Sequence, residues 1–191
     1  MKFIDPHQDR WHLAAGEDGP LPHPSPADQL LLTLEQWHAV RSHWSAQVTA
    51  GKRLGLQLDN DADVEALKPD LPRLALIALA FPKWTDGRAY TQARLLRARL
   101  GFQGEIRATG EVLVDMLPLL QRTGFDAVQL RADQRLDSAQ RALRFFAAHY
   151  QGDVKEARPI FRRSTDAETT AALQAEAATT ASVTTAAAEA A

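Results

Sequence analysis

The sequence predicts an α/β domain built on a small, mostly parallel sheet. Short apolar runs alternate with amphipathic segments along most of the chain, and one run, Leu74–Phe81 (LALIALAF), is continuously apolar. A run of that kind is typical of a strand covered on both faces. Four successive strand–helix units imply right-handed crossovers between parallel strands. The pattern is compatible with either an open sheet or a half-barrel.

Composition bounds the class of protein. The chain has 191 residues, a formal net charge of -2 and no cysteine. That length suits one domain with appendages. The near-neutral charge argues against bulk binding to nucleic acid or to anionic membranes. The lack of cysteine excludes disulfides, thiol nucleophiles, thiolate metal sites and cysteine-ligated clusters. No apolar run suits a signal peptide or a membrane span, so we expect a cytoplasmic protein.

Residues 1–50 are predicted to form an N-terminal extension. Two short apolar pieces, Phe3-Ile4 and Trp11–Leu13, predict a small strand or hairpin that leads into a Gly- and Pro-rich loop. Thr33 is placed to cap a helix over 34–48, and Gln36 stands at the capping-box position.

Residues 51–152 are predicted to form the core domain of βα units. The four strands are expected at 54–58, 74–81, 104–108 and 125–130. The segment 64–67 is expected to make a brief helical turn. A helix over 86–100 carries an apolar stripe at helical spacing, formed by Ala89, Ala93, Leu96 and Leu100.

Two further helices complete the predicted core domain. Gly124 is expected to end the first of them as its C′ residue. The inner face of that helix is predicted to be Val112, Met116, Leu119, Leu120 and Thr123, and the inner face of the last helix Leu136, Ala139, Leu143 and Phe146. From residue 164 onward the chain is nearly all Ala, Thr and Glu, which predicts a disordered tail over 164–191.

Charged side chains gather where the predicted strands end. Ligands of parallel α/β sheets bind beyond the carboxyl ends of the strands. That rule collects one edge of residues: Asp59, Asp61, Lys83, Thr85, Asp86, Arg88, Thr109, Glu111, Asp115 and Arg131.

This edge has two interpretations. Lys83 and Arg88 flank a helix N-terminus, which favours an oxyanion such as sulfite, sulfate or phosphate. Alternatively, Asp86 caps the helix, and Lys83 and Arg88 pair with Asp86 and Glu111. Glu111 and Asp115, four residues apart, are expected on one helix face, where with Asp86 they could form an acid–base pair or a hard-metal site.

Arginines and a tryptophan suggest a docking surface beside this edge. Arg94, Arg97 and Arg99 are expected on the helix face opposite the apolar stripe, either as a solvated basic face or as a surface for an acidic partner. Arg107 either turns away from the core or reaches Asp115 or Glu111. Trp84 is expected to be partly exposed, where it either packs on a neighbouring loop or contacts a partner.

The segment 81–127 resembles a known bacterial family. Its sequence is FPKWTDGRAYTQARLLRARLGFQGEIRATGEVLVDMLPLLQRTGFDA. It is similar to the signature of the DUF934 family, and the likeness covers about residues 30–150. The signature falls on Phe81, Pro82, Lys83, Thr85, Asp86, Gly87, Arg88, Tyr90, Arg94, Arg97, Gly101, Gly104, Arg107, Gly110, Val112, Leu113, Asp115, Gly124, Phe125 and Asp126.

The chain departs from that signature at four positions. Val114 and Met116 replace the usual Arg and Gln, Glu111 replaces an Asp, and Thr123 stands where a cysteine is common. These departures put in doubt any mechanism that depends on that cysteine or on the Arg–Asp–Gln cluster.

The resemblance implies a role more than a reaction. Members of the family are typically encoded beside sulfite reductase and sulfate-assimilation reductases, and they are often labelled oxidoreductases. This implies an accessory protein of assimilatory sulfate or sulfite reduction that docks to sulfite reductase or another reductase. The alternative is a small oxyanion-binding enzyme or an oxidoreductase with a site at the carboxyl edge of the sheet. No cofactor is identified, no metal is expected, and neither nucleic acid nor membrane is an expected partner.

Overall fold

The fold is a seven-stranded, entirely parallel sheet that curls into a half-barrel. A computed structural model describes residues 1–13, 29–42, 53–146 and 149–162. The strands are β1 (Lys2–Phe3), β2 (His12–Leu13), β3 (Gln29–Thr33), β4 (Arg53–Leu58), β5 (Leu74–Phe81), β6 (Glu105–Gly110) and β7 (Ala127–Val128). Their order across the sheet is β1-β7-β6-β5-β4-β3-β2. The predicted α/β class and parallel sheet are confirmed.

The N-terminal segment shows why the sheet must curl. β1 and β2 form its two opposite edges, although only residues 4–11 separate them. Seven flat strands about 4.8 Å apart would place those edges roughly 29 Å from each other. Eight residues span such a distance only when nearly fully extended. They turn instead, because Gln8 N donates to Asp5 O at 3.0 Å. The two apolar pieces therefore form strands, but not a hairpin.

Four α-helices connect or follow these strands: α1 (Leu34–Val40), α2 (Arg88–Arg94), α3 (Leu117–Thr123) and α4 (Leu136–Arg144). The capping box of α1 is confirmed, since Gln36 N donates to the Thr33 hydroxyl at 3.2 Å and the Gln36 side chain accepts from Thr33 N. Gly124 ends α3 in the left-handed conformation, as predicted, with φ 109°. α1 ends at Val40, so the predicted continuation of the helix over 41–42 is wrong, whereas residues 43–48 and the tail over 164–191 lie outside the described residues.

The two faces of the sheet are packed differently. The helix-covered face holds the main core, in which Leu56, Ile77, Leu79 and Ile106 are fully buried. The opposite face carries a smaller cluster of Leu31, Leu76 and Ala78, with Trp11 of the N-terminal segment packed against it. Gly55 makes room for Trp11, because a Cβ there would lie 2.9 Å from the indole ring. The strand at Leu74–Phe81 is thus covered on both sides.

Several predicted boundaries and inner faces are wrong. Leu119, Leu136 and Phe146 are exposed by 45%, 49% and 57%. A 3-10 turn, Val114–Met116, precedes α3 and changes the phase of its apolar face. α4 packs on α3 and on the turn Val114–Met116, and Phe146 lies beyond the last residue of α4. β3 was not predicted and β7 is shorter than 125–130. The brief turn expected at 64–67 is present, with Leu67 N donating to Val64 O at 3.3 Å. No helix within the described ranges is long and apolar enough to cross a bilayer.

Candidate functional site

The carboxyl edge of the sheet brings together loops that are distant in sequence. β5 and β6 are neighbours, and Glu111 N donates to Phe81 O at 2.8 Å. The loop 82–88 and Glu111 therefore start from the same edge. The loops after β4 (59–63) and β7 (129–133) flank them. We call the four loops 59–63, 82–88, 111–115 and 129–133 the carboxyl rim.

Gly110 allows the close approach of β6 to β5 at this rim. Its φ is 91°, a left-handed value that disfavours residues with a Cβ. A Cβ at this position would also lie 2.5 Å from the carbonyl oxygen of Phe81. The position therefore requires glycine for two independent reasons.

Asp86 organises the loop that precedes α2. Its carboxylate accepts from the Arg88 guanidinium at 2.7 Å and from Asn60 Nδ2 at 2.6 Å. It also accepts from the backbone N–H of Arg88, the first residue of α2, at 3.2 Å. The hydrogen bonds from Arg88 lower the pKa of Asp86 to about 2. The start of α2 is thus already occupied by a carboxylate of the protein itself.

A second ion-pair cluster involves Glu111. Arg131 donates to Glu111 at 2.7 Å and to Asp133 at 2.7 Å. Hydrogen bonding to these carboxylates raises the pKa of Arg131, and the same pairing lowers the pKa of Asp133 to about 2. Arg88 and Glu111 are therefore not partners. Helical structure begins only at Val114, so the prediction that Glu111 and Asp115 share a helix face is wrong.

The carboxyl rim carries an excess of negative charge. Seven carboxylates lie in its four loops against three cations: Asp59, Asp61, Asp63, Asp86, Glu111, Asp115 and Asp133, with Lys83, Arg88 and Arg131. Two of those three cations are already paired with rim carboxylates. The summed potential of such an edge opposes the binding of a small anion. The oxyanion interpretation loses its main electrostatic support.

Three side chains of the predicted rim have a different environment. Lys83 and Thr85 are exposed, and within the described ranges neither side chain makes a hydrogen bond or an ion pair. Thr109 lies on the face of the curled sheet opposite the helices, which we call the concave face, and its hydroxyl donates to Leu79 O at 3.5 Å. Trp84 is 56% exposed, as expected for a ring in this turn.

The three arginines at and beyond the end of α2 do not form one surface. Arg97 is part of the interior, with a side chain only 14% exposed that donates to Gly124 O at 3.0 Å and pairs with Asp126. Burial lowers the pKa of Arg97. Arg99 pairs with Glu65 at 2.9 Å. Arg94 is exposed and has no such partner among the described residues.

A wider helical turn explains the position of Arg97. Residues Leu95–Arg99 form a π-helical turn, in which Leu100 N donates to Leu95 O at 2.9 Å. A π turn inserts a residue into the helical repeat and so rotates everything that follows. The prediction of a basic face opposite the apolar stripe is therefore wrong for Arg97.

Arg107 lies on the concave face and is 2% exposed. It pairs with Asp9 of the N-terminal segment and with Glu105 at 2.8 Å. It does turn away from the helix-covered core, but it does not reach Glu111 or Asp115. Sequence analysis missed both partners. Glu105 is two residues from Arg107, so the alternation of side chains along a strand places both on the same face. No local signal in the sequence connects Arg107 with Asp9, 98 residues earlier.

A family model described as "bacterial protein of unknown function (DUF934)" matches residues 55–161. This chain belongs to the DUF934 family. No curated protein matches the sequence. The matched residues include all four loops of the carboxyl rim and the helices α2, α3 and α4.

Much of the DUF934 signature serves the fold. The rings of Phe81, Tyr90 and Phe125 pack against one another, with centroids 5.2 to 6.5 Å apart. Arg97 pairs with Asp126, and Asp86 with Arg88. Gly110 and Gly124 have positive φ. The structure thus gives these signature positions a role in stability.

Four signature positions have no such role. The side chains of these residues are exposed and form no hydrogen bond or ion pair within the described ranges: Lys83, Thr85, Arg94 and Asp115. Asp115 lies close enough to Tyr90 to add to the effect of burial, which raises the pKa of that phenol to about 12. Tyr90 is one helical turn before Arg94 on α2. The signature residues that the fold does not use are therefore at the surface around α2.

Proposed function

We propose that this protein is an accessory protein of assimilatory sulfite reduction that acts by docking to a reductase. The observation that carries the proposal is the exposure of Trp84, 56%, on a loop held in place by the Asp86 hydrogen bonds. We call Lys83, Trp84 and Arg94 the docking surface. It modifies the surface expected from sequence, since Arg97 serves the fold and Arg99 is paired with Glu65.

An exposed tryptophan on an ordered loop suits protein recognition. Tryptophan and arginine are enriched among the residues that dominate binding energy at interfaces. A ring that is held before binding loses little conformational freedom when it is buried by a partner. Lys83 and Arg94 form no ion pair within the described ranges, so each can pair with a carboxylate of the partner, although the rim around Lys83 is acidic as a whole. A reductase that presents such carboxylates beside an apolar contact for Trp84 is the partner that we propose.

The link to sulfite reduction is supported by the family resemblance. DUF934 members are typically encoded beside sulfite reductase, and membership in the family is shown by the match to residues 55–161. The fold alone does not specify a reaction, because α/β sheets of this kind serve many chemistries. Binding to the reductase is therefore the property to measure.

The test uses the purified full chain and the sulfite reductase of the same organism, with affinity measured by biolayer interferometry. Trp84→Ala is expected to weaken binding at least about tenfold. Arg94→Glu and added salt are expected to weaken it as well, because the contact includes exposed charges. Tyr150→Ala is the matched control, since Tyr150 is 72% exposed on another part of the surface.

Two outcomes contradict the proposal. One is the absence of saturable binding to the reductase. The other is binding that Trp84→Ala leaves unchanged in a variant whose circular dichroism matches the parent protein. The oxyanion alternative is tested in parallel by thermal unfolding with millimolar sulfite and sulfate. A constant melting temperature is expected, since a ligand that binds the folded state would raise it.

A further inference from the structure

The C-terminal part of the described chain exposes an unusual number of aromatic rings. Phe145, Phe146, Tyr150 and Phe161 are exposed by 77%, 57%, 72% and 62%. Phe145 and Phe146 contact each other at a centroid distance of 4.9 Å, and Tyr150 and Phe161 at 5.5 Å. Clusters of exposed apolar groups of this kind mark interaction sites.

Two arginines border these rings. Arg144 precedes Phe145, Arg162 follows Phe161, and the side chain of neither is in an ion pair within the described ranges. We call Arg144, the four aromatic residues and Arg162 the aromatic–arginine surface. Its chemistry fits a partner that presents carboxylates beside an aromatic ring, because guanidinium groups pair with carboxylates and stack on rings.

The aromatic–arginine surface lies toward the amino edge of the sheet. α4 begins beside the carboxyl rim, where the Gln134 side chain accepts from Val114 N at 3.0 Å, so its last residues, next to Phe145, are the ones farther from that rim. Val154, which lies between Tyr150 and Phe161 in sequence, donates its N–H to Arg122 O at 3.2 Å. It also lines a cavity with Gln103 and Gly104, which immediately precede β6. The surface is therefore at the end of the molecule opposite the carboxyl rim.

The carboxyl rim provides the complementary chemistry. Asp59, Asp61 and Asp63 are exposed, and none of them is in an ion pair within the described ranges. Trp84 is on the adjacent loop, which the hydrogen bond from Asn60 to Asp86, 2.6 Å, joins to the acidic loop. The rim thus offers surplus carboxylates and one exposed aromatic ring.

We propose that the aromatic–arginine surface binds the carboxyl rim of a second copy of this chain. The two surfaces have opposite charge and both carry exposed rings, yet they lie at opposite ends of one molecule, so they can meet only between molecules. An interface between two different surfaces of identical chains is heterologous, and it produces a closed ring or an open chain of subunits. This inference does not depend on the proposed docking to a reductase.

The experiment is sedimentation velocity on the purified full chain over a range of concentrations at low salt. The wild-type protein is expected to show a mass that rises with concentration and falls when salt is added, because charge pairs contribute to the contact. Two charge-reversal variants disable one surface each: Arg144→Glu with Arg162→Glu, and Asp59→Lys with Asp61→Lys. Each is expected to weaken association at least about tenfold.

A mixture of the two variants is the decisive sample. The first variant retains an intact carboxyl rim, and the second retains an intact aromatic–arginine surface. The two intact surfaces therefore belong to different molecules. The mixture is therefore expected to associate again, through the two intact surfaces and also because the reversed charges of the two variants are themselves of opposite sign. Lys68→Glu, a reversal at an exposed position outside both surfaces, is expected to associate like the wild type.

Three results overturn the proposal. The first is a wild-type protein that is monomeric at every concentration. The second is association that survives both charge reversals, or a mixture of the two variants that stays monomeric. The third is a monomeric protein whose aromatic–arginine surface binds vesicles of anionic phospholipid, which would assign this surface to a membrane. All of these measurements omit the reductase, so their failure leaves the proposed function untouched.

Discussion

At the scale of single residues, charged side chains that look available in the sequence are largely paired in the structure. Arg88 is bound to Asp86, Arg131 to Glu111, and Arg97 to Asp126. In each pair, a residue from a loop or from the end of a strand binds a residue of a neighbouring element or turn. Lys83 and Arg94 differ because the described structure gives their charges no internal use. Function is therefore more readily assigned to these two than to the paired arginines.

The pairing of Asp86 with Arg88 predicts a pH dependence. The pKa of Asp86 is lowered from 3.8 to about 2 in the folded protein. A carboxyl group whose folded pKa is lowered stabilises the protein above its unfolded pKa. That contribution is expected to disappear as the pH falls from about 4 to about 2. Carboxyl-carbon NMR titration measures it, and Arg88→Ala is expected to return the pKa of Asp86 toward 3.8. A parent protein in which Asp86 titrates near 3.8 would contradict the pairing.

The environment of Gly110 predicts how much stability is lost when a methyl group is added at this position. Gly110→Ala is expected to lower the free energy of unfolding by about 2 kcal/mol or more, because the left-handed backbone disfavours a Cβ and the Phe81 carbonyl blocks it. Urea denaturation measures the change. Gly87→Ala is the control, since φ there is -88° and the nearest atom to an added Cβ is 3.8 Å away. Its effect is expected to stay within about 0.5 kcal/mol. If the two substitutions lowered the free energy of unfolding equally, the backbone at Gly110 would not have the left-handed conformation described above.

At the scale of elements, the helix after β5 shows how a short irregularity redirects side chains. Ala89, Ala93 and Leu96 are fully buried, as their helical spacing predicts. The π turn at Leu95–Arg99 then rotates the end of the helix, and Arg97 points toward the segment before β7. A basic face that looks continuous in sequence is thereby divided between the interior, a surface ion pair and solvent.

Because the arginines of that face have different environments, their substitution is predicted to change stability by different amounts. Arg97→Ala is expected to lower the free energy of unfolding by about 2 to 4 kcal/mol, because it leaves Asp126 and the Gly124 carbonyl without their partner. Arg94→Ala is expected to change it by less than about 0.5 kcal/mol, as exposed unpaired side chains do. Chemical denaturation of both variants compares them directly. A larger loss for Arg94→Ala than for Arg97→Ala would refute the assignment of Arg97 to the interior.

At the scale of the whole molecule, the N-terminal segment holds the curled sheet together. β1 and β2 extend its two edges, Trp11 packs on the concave face, and Asp9 pairs with the buried Arg107. The same segment lines a cavity of about 390 Å³ at the amino edge with Arg53 and Glu105. This arrangement ties the first residues of the chain to strands that follow much later in sequence.

Substitution of the buried Arg107 is predicted to lower stability and to loosen the two edge strands of the sheet. Arg107→Leu is expected to lower the free energy of unfolding by about 3 to 5 kcal/mol, since Asp9 and Glu105 lose their common partner. Hydrogen exchange at residues 2–4 and 12–13 is expected to accelerate with it. Lys2→Ala is the control, because its pair with Glu105 is 3.5 Å long and 65% exposed on the lysine side. That change is expected to cost less than about 1 kcal/mol. Unchanged exchange in Arg107→Leu would mean that the N-terminal segment is held by other contacts.

The class of fold and several local features follow from the sequence alone. Alternation of apolar runs with helical patterns indicates parallel strands with crossovers, and Leu74–Phe81 is buried as its composition predicts. The capping box at Thr33 and the helix end at Gly124 depend on residues within a few positions of each other. Such features are readable because their physical causes are local.

Which charges remain available at the surface depends on long-range packing. Arg97 pairs with a residue 29 positions away, and Arg107 pairs with Asp9, 98 positions away, as well as with its neighbour Glu105. The closure of the sheet edges by residues 1–13 likewise depends on long-range pairing. A side chain's direction also depends on a π turn that shifts the helical phase. Periodicity carries no information about these contacts, because they arise when distant segments pack together.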